Sequence, residues 1–348
     1  MRWRVGTALG GALLLSGVAA CVAVPAVDGP VPSSSKVQPA GQLHFTAAGD
    51  YSASPAAGSV LEAVGASDPD LHLALGDLSY GRAGEEDQWC RFVTDRVGTE
   101  LPFELLAGNH ESDGSNGNIA DFAACLPNRL PGLVGEYPRE YYVDLPRESP
   151  LVRFVMVSPA LTFPDGTWSY AAGSTHLAWT EKAITSARAA GVPWVVVGMH
   201  KPCLSTGVHS CDVGPDLVHL LVSQRVDLVL SGHEHIYERT RQLAEGPGCP
   251  RVTIDAFTSA CVVDDGDALV AGAGTVFTTV GTGGTALRST SASDSEAPYF
   301  AVASGANKSP THGYVDARVT PTELRVSFVR ADGGTFSDSF TLTRSAAP

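Results

Sequence analysis

The sequence predicts an α/β fold with two sheets flanked by helices. From about residue 42 to residue 239, short runs rich in Val, Leu and Phe alternate with helical stretches, an order typical of layered α/β cores. After residue 239 the predicted strands follow one another without helices, which indicates a second sheet built largely of hairpins. With 348 residues, 44% of them hydrophobic, the chain suits one large domain or two small ones with a full core.

The strands of the alternating part are predicted at residues 43–48, 71–75, 102–106, 152–157, 194–199 and 226–230. Its helices are predicted at residues 55–66, 174–190 and 215–224, and Ser174 is the expected N-cap of the second helix. The hairpin part has predicted strands at residues 275–280, 314–319, 324–330 and 336–343, and residues 285–309 are expected to form a long surface loop. The run Asp264-Asp265-Gly266-Asp267 either holds calcium or forms a solvated turn, and the turn is favoured.

The beginning of the chain resembles a secretory signal peptide. Arg2 and Arg4 precede an apolar run that ends at Ala20 and is too short to span a membrane. Residues 1–20 are therefore predicted to be a signal peptide, residues 21–41 a Pro- and Ser-rich linker, and residues 42–344 the folded domain. The sequence before Cys21 resembles the lipobox of bacterial lipoproteins. We therefore expect an exported chain that is either extracellular or anchored to the outer face of the membrane by lipidated Cys21.

Cysteine usage fits export. Without Cys21, six of the seven cysteines remain, and six can pair in 15 ways in an oxidising compartment. Sequence proximity favours three of these pairings, Cys90–Cys125, Cys203–Cys211 and Cys249–Cys261. No pair has the C-x-x-C spacing, so the sequence does not indicate a cysteine-based zinc site or redox motif.

The charge of the chain limits its partners. The formal net charge is −14, and the sequence contains no cluster of Lys and Arg, so nucleic-acid binding is not expected. The acidic surface also opposes non-specific binding to anionic lipid. A small anionic substrate remains compatible with this charge, because bound metal ions dominate the local field of a site. The sequence leaves the oligomeric state open.

Five predicted strands run into polar residues at their carboxyl ends. The segments are Gly49-Asp50, Gly76-Asp77-Leu78-Ser79-Tyr80, Gly108-Asn109-His110-Glu111, Met199-His200 and Gly232-His233-Glu234-His235. Each alone is explained by a turn or by a hydrogen-bonded core residue. Together they predict one site, because ligands of α/β sheets gather beyond the carboxyl ends of strands. Carboxylate, amide and imidazole groups suit divalent or trivalent metals, and a bridging carboxylate can hold two ions roughly 3.5–4 Å apart.

The order of these five segments resembles the metallophosphoesterase superfamily, and Tyr80 narrows the resemblance to the purple acid phosphatases. Many other branches carry a metal-binding His two residues after the first Asp, where this chain has Ser52, so Tyr80 must supply that ligand. Residues 232–239, 280–284 and 313 onward also resemble the family, and the likeness covers residues 42–343. It implies the metallophosphoesterase fold, a four-layer α-β-β-α sandwich of two mixed sheets flanked by helices.

The resemblance also implies a two-metal centre. Fe(III) would be bound by Asp50, Tyr80 and His235; a divalent Fe, Zn or Mn would be bound by Asn109, His200 and His233; and Asp77 would bridge the two ions. The family usually has Gly where this chain has Ser52, which leaves open a crowded or re-aimed Asp50.

The implied reaction is hydrolysis of phosphate monoesters by a metal-bound hydroxide, with a small phosphorylated molecule as substrate. His110 adjoins Asn109 and is the candidate acid or phosphate-binding group. His209 lies between Cys203 and Cys211, in the region of the family's substrate-contacting histidines, and is either a second such residue or a plain surface histidine.

Other functions are excluded or left open by particular motifs. The chain has no Gly-x-Ser-x-Gly, the signature of a serine hydrolase nucleophile, and His110-Glu111 is not followed by the second His of a zinc peptidase. A phosphodiesterase or nucleotidase stays open, because the loops expected to shape the pocket, residues 114–139 and 162–172, carry no motif. An inactive cell-surface binding protein is disfavoured, since every expected ligand type is present.

Overall fold

The computed structural model describes residues 41–345. The predicted signal peptide, Cys21 and the predicted linker up to residue 40 lie outside this range. Within residues 41–345, none of the helices has the length and apolar character needed to cross a bilayer.

The helices are α1 Pro55–Ser67, α2 Glu86–Val97, α3 Asn109–Ser112, α4 Ile119–Cys125, α5 Thr175–Ala189 and α6 Pro215–Ser223, with 3₁₀ turns at Ser259–Cys261 and Ala297–Tyr299. The strands are β1 Leu43–Ala48, β2 Leu71–Ala74, β3 Phe103–Leu105, β4 Val134–Glu136, β5 Glu140–Leu145, β6 Val152–Val157, β7 Thr162–Phe163, β8 Gly166–Thr167, β9 Trp194–Met199, β10 Leu228–Ser231, β11 Tyr237–Thr240, β12 Gln242–Leu243, β13 Val262–Asp264, β14 Ala268–Val270, β15 Val276–Val280, β16 Phe300–Ser304, β17 His312–Val319, β18 Glu323–Asp332 and β19 Ser339–Thr343.

Local sequence explains why these elements form where they do. β1, β6 and β9 are apolar runs in which every residue is buried, as expected of strands covered on both faces. The Ser54 side chain caps α1 by accepting the N–H of Ala57, ahead of a proline in the first turn. Ser174 caps α5 in the predicted way, by accepting the N–H of Leu177.

Two mixed sheets form the middle of the domain. The first has the strand order β14-β19-β18-β17-β1-β2-β3, and the second has the order β16-β11-β15-β10-β9-β6-β5-β4. β1, β2 and β3 are parallel, as are β6, β9, β10 and β15, while the outer strands are mostly antiparallel. The rings of Phe45 and Phe154, one from each sheet, pack edge to face at 5.0 Å.

Helices cover the sheets. α1 packs on β17 and β18 of the first sheet, and α5 packs on β6 of the second. The predicted fold class, two mixed sheets flanked by helices, is confirmed.

The strands at the end of the chain depart from the prediction. They do not build a separate hairpin sheet, because β17 pairs with β1 and extends the first sheet, while β15 pairs with β10 and extends the second. Residues 285–309 are likewise not one loop, since β16 lies within them and pairs with β11. Hydrophobic pattern locates a strand but does not specify its partner, which depends on contacts far apart in sequence.

The three disulfides favoured by sequence proximity are formed, Cys90–Cys125, Cys203–Cys211 and Cys249–Cys261. In the acidic run that follows the last of them, Asp264 accepts the N–H of Gly266 and Asp267 pairs with Arg239. These contacts fit the predicted turn.

Candidate metal centre

The site lies where the carboxyl ends of parallel strands from both sheets meet. Asp50, Asp77 and Asn109 follow β1, β2 and β3 of the first sheet, whereas His200 and His233 follow β9 and β10 of the second. The structure brings together the side chains of all seven predicted ligands, including Tyr80 and His235, as the strand-end argument expects.

One half of the site is grouped around the Tyr80 hydroxyl. This oxygen lies 3.0 Å from Asp50 Oδ1, 3.1 Å from Asp77 Oδ2 and 3.0 Å from His235 Nε2. Asp50, Asp77 and His235 each offer a ligand atom within 4.8 Å of the others, and all three residues are buried.

The other half is grouped around His200. Its Nε2 lies 3.2 Å from Asp77 Oδ1 and 3.1 Å from Asn109 Oδ1. Asp77, His200 and His233 form a second buried group with ligand atoms within 4.8 Å of one another. Asp77 belongs to both groups, with one carboxylate oxygen directed at each, which is the arrangement a bridging carboxylate needs.

Backbone carbonyl groups orient two of the histidines. His200 Nδ1 lies 2.8 Å from the Leu75 oxygen and His235 Nδ1 lies 3.0 Å from the Ala286 oxygen, so each Nδ1–H donates and each Nε2 turns to the site. His233 differs, because its backbone N–H donates to Asp50 Oδ2 while its Nδ1 is buried without a hydrogen-bond partner in the described part of the chain. A buried polar atom without a partner is costly in a folded protein, and a bound cation would satisfy it.

The backbone of the site is strained. Asp50, Asp77, Tyr80 and His233 all have positive φ, between 51° and 68°, a region that residues with a side chain rarely adopt. Such outliers concentrate at functional sites, where the surrounding structure holds them in place. At Gly108 the backbone comes so close to Asp77 that an added Cβ would lie 2.2 Å from its Oδ1.

Ser52, where the family usually has Gly, adopts φ 68°, a left-handed conformation that glycine reaches more easily. Its hydroxyl accepts the N–H of Ser54. Asp50 still reaches Tyr80 at 3.0 Å, so the substitution does not turn Asp50 away from the site.

The buried carboxyl groups of Asp50 and Asp77 disfavour each other's ionisation. Burial raises the pKa of Asp50 to about 7, and the Asp77 carboxylate also raises it, although His200 acts in the opposite direction. For Asp77, burial also opposes ionisation, but His200 prevails and holds the pKa of this carboxyl well below its usual range. Burial and the two carboxylates raise the pKa of Tyr80 well above its usual value. Added positive charge would relieve all three groups, so the donor set fits a pair of cations.

His110 stands at the edge of the site with one nitrogen held and the other free. Its Nδ1 donates to Asn116 Oδ1 at 2.6 Å, and its Nε2 faces Asp77 Oδ2 at 3.6 Å. The amide of Asn116 is oriented by its own donation to the Gly81 oxygen, which leaves its oxygen for His110. His110 is therefore placed as an acid or phosphate-binding group, with Nε2 as the atom that reacts.

His209 lies against the half of the site that contains His233. Its ring stacks on that of His233 at 4.2 Å, although His209 is exposed to solvent. The Glu234 carboxylate accepts its backbone N–H, and the guanidinium of Arg288 donates to its Nε2. In this arrangement the Nε2 atom accepts a hydrogen bond from Arg288 and does not donate one.

Four residues contact the site that sequence reasoning did not assign to it, namely Glu111, Asn116, Glu234 and Arg288. Glu111 is buried and accepts the backbone N–H groups of Gly108, Asp77 and Leu78, which fixes the loops that carry two ligand candidates. Glu111 and Glu234 belong to the strand-end segments that predicted the site, so their position in the sequence could have identified them. Asn116 lies just beyond the segment that ends at Glu111 and Arg288 lies far from every segment, and neither belongs to a motif that would have marked it.

Residues 43–237 match the family model of the calcineurin-like phosphoesterases. The chain is 28% identical over 292 residues to the uncharacterized protein Rv2577 of Mycobacterium tuberculosis, which covers 74% of this chain and 54% of that protein. It is 28% identical over 189 residues to Fe(3+)-Zn(2+) purple acid phosphatase 12 of Arabidopsis thaliana, covering 49% of this chain and 37% of that protein.

Among solved structures, the fold is similar to that of purple acid phosphatase PPD1 from yellow lupin. The TM-score is 0.65 at 19% sequence identity, and the likeness covers 87% of this chain and 54% of the lupin chain. The chain spans about half the length of the first curated relatives that it matches.

Proposed function

The chain belongs to the calcineurin-like phosphoesterases, and from this premise we propose that it hydrolyses phosphate monoesters at a two-metal centre, as an acid-phosphatase-like enzyme. The observation that carries the proposal is the pair of buried ligand groups that share Asp77. Similarity to a plant purple acid phosphatase supports the finer assignment. The substrate would be a small phosphorylated molecule, and we expect no binding of nucleic acid.

Each half of the centre would hold one ion. Asp50, Tyr80 and His235 suit Fe(III), because phenolate and carboxylate are hard, anionic ligands. Asn109, His200 and His233 suit a divalent Fe, Zn or Mn, and Asp77 would bridge the pair. Two bound cations neutralise phosphate oxygens and lower the pKa of a bound water.

The protein's own groups would then guide the reaction. With both ring nitrogens protonated, His110 would give its Nε2 proton to the leaving oxygen and become neutral imidazole, while Asn116 retains the Nδ1–H and fixes the ring. Glu111 keeps the loops of Asp77 and Gly108 in register. We assign His209 to substrate contact and not to proton donation, because its Nε2 accepts from Arg288.

Two alternatives are separated from this proposal by experiment. A phosphodiesterase or nucleotidase would use the same metals with a different pocket, and the hairpin of β7 and β8, which contacts α3, is part of the wall that would differ. An inactive binding protein of the cell surface would fail to bind two ions.

Metal analysis and kinetics test the proposal together. Protein purified without chelator should contain about two metal ions per chain with iron prominent, and it should hydrolyse p-nitrophenyl phosphate.

Asp77→Asn should lose metal and activity, because it removes the shared negative charge. His110→Ala should retain the metals and slow turnover by about 10²–10⁴-fold. Less than one ion per chain, or a wild type that cleaves only diesters, would overturn the proposal.

The three disulfides indicate an exported protein. We further propose that lipidated Cys21 anchors it to the outer face of the membrane. Metabolic labelling with a fatty acid should mark the wild type and not Cys21→Ser. Label that persists in the variant would exclude this anchor and leave a freely secreted enzyme.

A further inference from the structure

Arg288 is tied to the metal centre through its backbone. Its N–H donates to the His235 oxygen at 2.9 Å, and its own carbonyl oxygen accepts the N–H of Ala306 at 2.7 Å. Gly305 approaches so closely that an added Cβ would lie 2.5 Å from the Arg288 oxygen. The segment that bears this side chain is therefore fixed on both sides.

The side chain of Arg288 points to the mouth of the site. Its guanidinium donates to His209 Nε2, and the His209 ring stacks on His233, a predicted ligand of the second ion. Its backbone meanwhile contacts His235, a predicted ligand of the first ion. Arg288 thus reaches toward both halves of the centre from a half-buried position.

No carboxylate neutralises this charge. Within residues 41–345, Arg288 forms no ion pair, whereas the more deeply buried Arg239 and Arg153 pair with Asp338 and Asp144. An unpaired guanidinium beside a ligand cluster is notable in a chain with a net charge of −14. It leaves most of its five N–H donors for a ligand that enters the site.

We propose that Arg288 is a specificity-determining residue that binds the unesterified oxygens of the substrate phosphate and favours dianionic monoesters over monoanionic diesters. The inference rests on the proposed function. A guanidinium presents paired donors that match two phosphate oxygens, and a monoester offers one more unesterified oxygen and one more negative charge than a diester. His209 would hold the guanidinium in place until substrate displaces it.

Two substrates with the same leaving group test the idea. Wild type and Arg288→Gln are compared on p-nitrophenyl phosphate and methyl p-nitrophenyl phosphate at a pH where the monoester is a dianion. In Arg288→Gln, kcat/KM for the monoester should fall roughly 10- to 100-fold, the value of a hydrogen bond to a charged group. The diester should change by less than about threefold, because it carries one negative charge fewer for the guanidinium to stabilise.

Arg225→Gln is the matched control. Arg225 is also a guanidinium without an ion pair in the described residues, and it precedes β10, whose other end carries His233. Arg225→Gln should leave kcat/KM unchanged for both substrates. Arg288→Lys keeps the charge without the paired donors and should recover only part of the preference. His209→Ala should leave the ratio between the two substrates near that of the wild type.

Binding of orthophosphate, measured by calorimetry on metal-loaded protein, tests Arg288 without turnover. Arg288→Gln should weaken it by a factor similar to the loss on the monoester, with unchanged metal content. Equal losses on both substrates, or unaltered phosphate binding, would overturn the role of Arg288. A wild type that holds two metals and binds phosphate but cleaves neither substrate would instead overturn the proposed function.

Discussion

Tyr80 is the proposed ligand that would separate this chain from the many superfamily branches with a histidine where this chain has Ser52. Its hydroxyl donates to two carboxylates, and burial together with Asp50 and Asp77 raises its pKa well above the usual value. The phenolate would therefore form at neutral pH only when a bound cation stabilises its negative charge. If Tyr80 binds the first ion as proposed, that binding releases the proton, so the apparent affinity for the ion should rise with pH.

Tyr80→Phe removes the oxygen and keeps the ring. We expect weaker binding of the first ion, about one proton fewer released on binding, and loss of the purple to pink colour of the oxidised iron form. Calorimetry in buffers of different ionisation enthalpy measures the protons, and the visible spectrum measures the colour. A coloured variant, or an unchanged proton release, would show that Tyr80 only packs against the site.

The sequence predicted a site at five strand-end segments because each follows a buried strand, and the resemblance to the purple acid phosphatases then named Tyr80 and His235 among the ligands. It did not find Asn116, which fixes His110, or Arg288, which faces the mouth, since neither is adjacent to a strand-end segment. Their roles come from contacts across 6 and 79 residues of chain, respectively. Spacing along the sequence cannot report which of many polar loop residues makes such a contact.

At the scale of elements, the loop of residues 203–211 is held more firmly than a surface loop needs to be. Buried Glu296 accepts the N–H of Ser205, and buried Glu238 accepts the N–H and hydroxyl of Thr206. Glu234 accepts the N–H of His209. Three carboxylates and one disulfide thus fix the loop that carries His209 over the centre.

Replacing Cys203 and Cys211 by Ser tests what this rigidity contributes. The free energy of unfolding should fall by about 2–3 kcal/mol, the entropy of closing a loop of this size. KM for p-nitrophenyl phosphate should rise while metal content stays the same, because His209 and the Arg288 guanidinium lose a fixed partner. The measurements are denaturant unfolding and steady-state kinetics.

The matched control is the pair Cys249→Ser and Cys261→Ser, whose loop is of similar length. This double variant should lower the free energy of unfolding by a similar amount. Its KM for p-nitrophenyl phosphate should not change, because this disulfide is not part of the loop that carries His209. An equal rise in KM for both pairs would mean that the 203–211 disulfide serves stability only.

Elements were predicted better than their partners. The bounds of β1, β6 and β9 agree with the predicted strands, because fully buried apolar runs are visible in sequence. The assignment of the last hairpins to a sheet of their own was wrong, since β17 is apolar enough for either sheet and only the pairing of Leu43 with Val319 reveals its place. α2, with its charged outer face, was missed altogether.

For the whole molecule, buried carboxyl groups make stability depend on pH. Glu104 on β3 is buried, its Oε1 accepts the N–H of Arg129, and its Oε2 has no hydrogen-bond partner among residues 41–345. Burial raises the pKa of Glu104 to about 7, although the hydrogen bond from the Arg129 N–H and the charge of Arg129 act in the opposite direction. The unfolded chain binds this proton less tightly, with a pKa near 4.5.

The sign of the effect follows from linkage. Below pH 4.5 the carboxyl is protonated in both states, and its contribution to stability is fully present. As pH rises through about 7 the folded protein must either keep a proton that the unfolded chain has released or ionise a buried group, so stability falls. Over this window the loss amounts to about 3 kcal/mol for a shift of this size.

Glu104→Gln removes the titrating group and nearly keeps the shape. Between pH 4.5 and pH 8 the free energy of unfolding of the wild type should therefore fall relative to that of the variant. Both proteins are measured by denaturant unfolding with their metals bound, so that the pH dependence of metal binding cancels in the comparison. Parallel pH profiles would mean that Glu104 is ionised in the folded protein, and the strain of an unpaired buried carboxylate would then have to be met by water or by a movement of residues 129–130.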